Sequence, residues 1–221
     1  MFAASTYEEI ESIERSVENK ELVIFLFVKP TNNASKEIIN EFEYIHYNSG
    51  KYCSIYAIGY TNNTDKPLDS SYREIETVCN SRWYFSNKMY VDFKERLERR
   101  IKWLYSGEIE VLILQNNPGS RSSLNFSNYV AINISNGIRE GYIDSFQQFM
   151  EALIRSSKKN VTAKEAISDV ANYRISVKDI IVGAINDCKK IPAPIKSIIS
   201  DRLFYRCANS FHREDGVFKM E

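Results

Sequence analysis

The chain has 221 residues, 43% of them hydrophobic and 26% charged, with 29 basic and 29 acidic side chains. That composition belongs to a globular chain, and a net charge of zero predicts no partner from bulk electrostatics. No stretch approaches the ~18 consecutive apolar residues of a membrane helix. The amino terminus has no basic segment followed by an apolar run, so the expected location is the cytoplasm and no membrane partner is expected.

The first predicted helix opens at Thr6, a capping residue with Glu9 three positions on, and carries Ile10, Ile13 and Val17 on one face. Leu22 to Val28 is a continuous apolar run, suited to a strand buried on both faces. Pro30 stops it. Ser35 to Tyr47 predicts a helix with Ile38, Ile39, Phe42 and Ile45 on its apolar face. Tyr52 to Tyr60 predicts a second strand. Thr61 to Ser71 is rich in Asn, Asp, Thr and Ser and predicts a loop, and Tyr72 to Cys79 is compatible with a short helix.

A long helix is expected from about Ser86 to Tyr105, with Met89, Phe93, Leu97, Ile101 and Leu104 as its stripe. Ile109 to Gln115 and Tyr129 to Ser135 predict a strand pair, with Asn136-Gly137 as a further turn. Ser145 to Arg155 predicts a helix bearing Phe146, Phe149, Met150, Leu153 and Ile154. After Asn160 the pattern is helical throughout: Thr162 to Tyr173, Val177 to Cys188, and Ile195 to about Phe211.

This order resembles the thioredoxin-like fold, in which two strands joined by a crossover are followed by a helix and by a β-hairpin closed with a last helix. The resemblance covers roughly residues 5–158. It implies a three-layer α/β/α domain with a four-stranded mixed sheet over 1–158, interrupted by a loop insertion at about 61–85. Residues 159–221 are expected to form an α-helical extension.

The family's redox members place Cys-x-x-Cys directly after the first of these strands and a cis-proline before the third. Here the first slot reads Lys29-Pro-Thr-Asn-Asn-Ala-Ser35, and Ser106-Gly-Glu-Ile-Glu110 fills the second. Neither supplies an activated thiolate, so thiol–disulfide exchange is not expected. Cys53, Cys79, Cys188 and Cys207 are far apart, and with only His46 and His212 no zinc-ligand spacing exists. No metal or cofactor is expected.

Three surfaces are candidates. Trp83, Tyr84, Phe85 and Tyr90 follow the polar insertion and, if exposed, mark a protein interface. Arg96, Arg99, Arg100 and Lys102, with Trp103, offer a basic, aromatic helix face for nucleic acid, weighed against a solvated face of i, i+4 pairs. Arg206 and His212 resemble the arginine–histidine signature of HEPN ribonucleases, which implies phosphorane stabilisation by Arg206 and proton transfer by His212. The principal expectation is a non-catalytic protein-interaction module, an accessory subunit or adaptor of a cytosolic bacterial assembly, with stress or phage defence as the suggested setting.

Overall fold

The computed structural model describes residues 2–4, 6–17, 22–31, 33–50, 52–62, 71–78, 80–101, 103–116, 123–141, 143–157, 205–207, 212–214 and 217–219. The chain opens with a short strand, β1 (Phe2–Ala4), and then α1 (Tyr7–Ser16). Thr6 Oγ1 accepts the Glu9 backbone N–H at 3.2 Å, so the expected cap forms. The apolar run becomes β2 (Leu22–Phe27), every residue of it buried. The next helix is two helices, α2 (Asn33–Asn40) and α3 (Phe42–Ser49), separated at Glu41. β3 (Cys53–Ile58) follows and is buried throughout.

The sheet containing these strands has the order β1-β3-β2-β7-β8-β9, where β7 is Glu110–Asn116, β8 is Leu124–Asn133 and β9 is Tyr205–Cys207. β1 and β2 both run parallel to β3. β7 runs antiparallel to β2, β8 to β7, and β9 to β8. The molecule is thus of mixed α/β class with a mixed sheet. The sheet has six strands, where four were expected: β1 extends one edge and β9 the other.

Val23, Phe25 and Phe27 of β2 point to one face by strand alternation. There Phe25 and Phe27 meet Phe93 and Tyr90 of α4 (Asn87–Arg100), and Tyr7 of α1 packs on Phe93. The opposite face is left to α2, α3 and α6 (Phe146–Ser157), where Tyr44 of α3 donates to Glu151 Oε1 of α6 at 2.7 Å. α4 ends at Arg100, because Ile101 is already extended, so Leu104 lies outside the helix and is 68% exposed. Asn136-Gly137 is not a turn but part of a short helix, α5 (Ile134–Arg139), capped by the Asn133 side chain.

Two expectations fail here. The 61–85 segment is not simply a loop: it contributes to a second sheet, β4-β6-β5, formed by β4 (Tyr60–Thr61), β5 (Tyr72–Val78) and β6 (Ser81–Ser86). A two-residue connection joins β5 to β6, with Asn80 at φ +62°. The segment from Tyr72 is strand rather than helix, since Ile75, Trp83 and Phe85 alternate on a side that packs against the core.

The carboxyl-terminal extension is also not helical where described. It holds β9 and a hairpin of β10 (His212–Glu214) and β11 (Val217–Lys219). The helix expected to run through Phe211 is replaced by strand pairing at Tyr205–Cys207, opposite Val130–Ile132. The helices expected at 162–173 and 177–188 lie outside the described residues.

Candidate functional site

The segment that the thioredoxin-like resemblance singled out lies at the carboxyl end of β2. Val28, Lys29 and Pro30 leave the strand there, and Pro30 is buried. Tyr60 donates its hydroxyl to the Val28 carbonyl at 2.9 Å, which ties the second sheet to this loop. Lys29 stacks its ammonium over the Tyr90 ring, 4.9 Å from the centroid. Tyr90 reaches this position because Gly59 leaves room: a Cβ there would lie 2.7 Å from Tyr90 Cβ, and Gly59 itself sits at φ +83°.

Beneath Lys29 the packing is aromatic. Phe27 contacts Tyr90, Trp103 and Tyr105, with its ring centroid 4.8 Å from that of Trp103. Trp103 donates Nε1–H to Glu110 Oε2 at 2.7 Å, and the Ser106 N–H donates to Glu110 Oε1 at 2.9 Å. Both oxygens of this buried carboxylate are therefore satisfied.

Burial pushes the Tyr60 and Tyr90 phenols well up and the Tyr105 phenol up to about 12. All three stay neutral near pH 7. The site thus holds an ammonium on an aromatic floor, with no cysteine between Lys29 and Ser35 and no phenol poised to act as a base. Cys53 is 1% exposed on β3, in the core as expected.

The sequence-predicted residues are scattered. Trp83, Phe85 and Tyr90 are buried, and Trp83 and Phe85 pack on Tyr60, so these three do not form the exposed aromatic patch that was expected. Tyr84 alone alternates outward and is half-buried.

On α4 the cations are already engaged. Arg96 pairs with Glu8, Lys94 with Glu98 at 3.2 Å and Arg99 with Glu95 at 3.8 Å. The Arg96 and Arg100 guanidiniums lie over Tyr7, and Arg100 also covers Phe126 at 4.4 Å. Trp103 is buried, and Lys102 lies outside the described residues. The i, i+4 pairs of Lys94 and Arg99 are what the alternative of a solvated face expects. Arg206 falls on β9 and His212 on β10, not together on one helix.

Sequence reasoning missed Glu14. It sits on the apolar side of α1 and is fully buried, accepting from Tyr56 of β3 and Asn116 of β7. The signal was present: Glu14 falls at i+4 from Ile10, on the inward stripe. In comparisons with known proteins, the chain matches no family model, no curated protein and no solved structure.

Proposed function

We propose that this chain is a non-catalytic, thioredoxin-like protein-interaction module, an accessory subunit or adaptor of a cytoplasmic bacterial assembly. Two features support the thioredoxin-like reading. β2 and β3 are a parallel pair joined through α2 and α3, and β7–β8 is an antiparallel hairpin beside β2 that leads through α5 into α6. β1, β9 and the second sheet are additions to that unit.

The observation that carries the non-catalytic reading is the slot after β2. It presents Lys29 stacked on Tyr90 where a redox member carries its thiols. Among the described residues no helix is long and apolar enough to cross a membrane, which agrees with a cytoplasmic setting.

The second sheet is the favoured contact surface. Its inner side is spent on the core, while Glu74, Arg82 and half-buried Tyr84 share the outer face. Co-purification of the tagged full chain from native extract tests the proposal. A stoichiometric protein partner that Tyr84→Glu releases is the expected result. A chain that stays monomeric and alone at low and moderate salt overturns it. Nucleic acid recovered without protein would instead favour α4, whose engaged cations now lend that reading no support.

A further inference from the structure

α1 and α4 leave a cleft where they meet on one face of the sheet. Its volume is about 200 Å³, and it is lined by Tyr7 and Glu8 of α1 and by Met89, Asp92, Phe93 and Arg96 of α4. The four α4 residues follow i, i+3, i+4 and i+7 spacing, so one helical face supplies them. Pockets for drug-sized molecules run to about 300–1,000 Å³, so this cleft has room for a single side chain.

The inner lining is apolar. Tyr7 and Phe93 are almost wholly buried, with ring centroids 6.0 Å apart, and half-buried Met89 adds a thioether beside them. The charged groups are exposed and flank these rings. Arg96 is committed: its guanidinium lies 4.4 Å over Tyr7 and pairs with Glu8 across the cleft. Asp92 stands one turn before Arg96, where an i, i+4 pair would form, but Arg96 is turned to Glu8 instead. Lys88, one turn earlier, makes no ion pair with Asp92 either. Among the described residues Asp92 has neither a hydrogen bond nor an ion pair. The lining thus carries two carboxylates against one guanidinium, and Asp92 is the unanswered one.

We propose that this cleft receives a lysine or arginine side chain of the protein partner. The inference rests on the interaction-module reading and names the chemistry of one contact. A basic side chain lays its aliphatic stem along apolar surface and keeps its charge in a polar setting. Here the stem lies over Met89 and Phe93 and the cation beside Asp92. An anion would meet Asp92 and find Arg96 already matched by Glu8. An apolar side chain would leave Asp92 unanswered. The cleft also continues from the favoured contact surface: α4 follows β6 directly, and Ser86, the last residue of β6, caps the Met89 N–H.

The lysine side-chain analogue n-butylammonium, titrated into the full chain at one ionic strength, tests the chemistry. The readout is the Met89 methyl NMR signal, identified by its loss in Met89→Leu. A saturable shift is expected with butylammonium and none with pentanoate, which has the same stem and the opposite charge. Asp92→Asn is expected to weaken binding about two- to fivefold, as the loss of one exposed charge does. No saturable shift, equal binding of pentanoate, or unchanged affinity in D92N each overturns the site.

Co-purification separates this proposal from the reading beneath it. A partner lost from Asp92→Lys supports the cleft. A partner that Tyr84→Glu releases and Asp92→Lys retains overturns the cleft and leaves the interaction module standing. Butylammonium binding by a chain that comes out of extract alone overturns the interaction module, and the partner side chain with it.

Discussion

Glu110 shows how one buried carboxylate is held by its neighbours. Its two oxygens take one N–H each, from Trp103 and from the Ser106 backbone. Trp103→Phe keeps most of the ring contact with Phe27 and deletes one donor. The variant is expected to lose about 1–3 kcal/mol of stability in urea denaturation, the cost of an unmatched buried acceptor.

Glu108 titrates differently because its partner is charged. Arg139 donates to both Glu108 oxygens and holds the carboxyl below its ordinary value of 4.5. A carboxyl depressed in the folded state adds stability above the unfolded value, and that stability is lost as pH falls through the folded one. The Tm gap between the natural chain and Glu108→Gln should therefore be present at pH 6 and close on acidification below about pH 4. The pair is largely solvent-facing, so added salt should shrink the gap at pH 6 as well.

Among the elements, the second sheet is the addition with the clearest inner and outer sides. Trp83 packs on Phe42 and Tyr60, and Phe85 on Tyr60 and Tyr90, so β6 is anchored to the core by its inward residues. Trp83→Ala should cost about 3–5 kcal/mol, as large aromatic truncations in a core do. Tyr84→Ala, one residue on but facing out, should stay within about 1 kcal/mol. A pair of denaturant curves measures both, and equal losses would contradict the assigned faces.

The same alternation explains why this sheet was not read from the sequence. Its hairpin turn uses Asn80 rather than a glycine, so the usual short-range signal is weak. The strand β5 also carries Arg73, Glu74 and Glu76, whose charges look like loop or helix surface until β6 covers the other side.

At the scale of the whole molecule, a parallel crossover pair and an antiparallel hairpin share one sheet, covered by helices on both faces. The end of that sheet at the carboxyl terminus of β2 holds Lys29 over Tyr90. The purified chain is expected to give no acceleration of dithiol-driven disulfide reduction above the uncatalysed rate. Cys53 in particular should stay unmodified by a thiol reagent until the chain is unfolded, as read by mass spectrometry of its peptide. Turnover above the blank would contradict the non-catalytic proposal.

The local pattern of apolar residues alone determined α1 with its Thr6 cap, the buried strands β2 and β3, the stripe of α4, the hairpin partners β7 and β8, and α6. Each is a periodicity that survives without knowledge of neighbours, because one face or both must be buried whatever the partner is. The lack of cysteine between Lys29 and Ser35 was equally legible, since it depends only on which residues follow β2.

What tertiary structure decided is every question of who covers whom. Phe2–Ala4 is three residues long and becomes β1 only because the edge of β3 is open to it. Residues 205–207 have a helical pattern yet pair with β8, where sheet hydrogen bonds replace local ones. Trp83, Phe85 and Tyr90 of the expected aromatic interface turned inward, and Lys94, Arg96 and Arg99 of the basic helix pair with its own carboxylates and with Glu8 of α1. Glu14 needs Tyr56 and Asn116, 42 and 102 residues away, before its burial means anything. Those contacts are long-range, and no window of the sequence contains both partners.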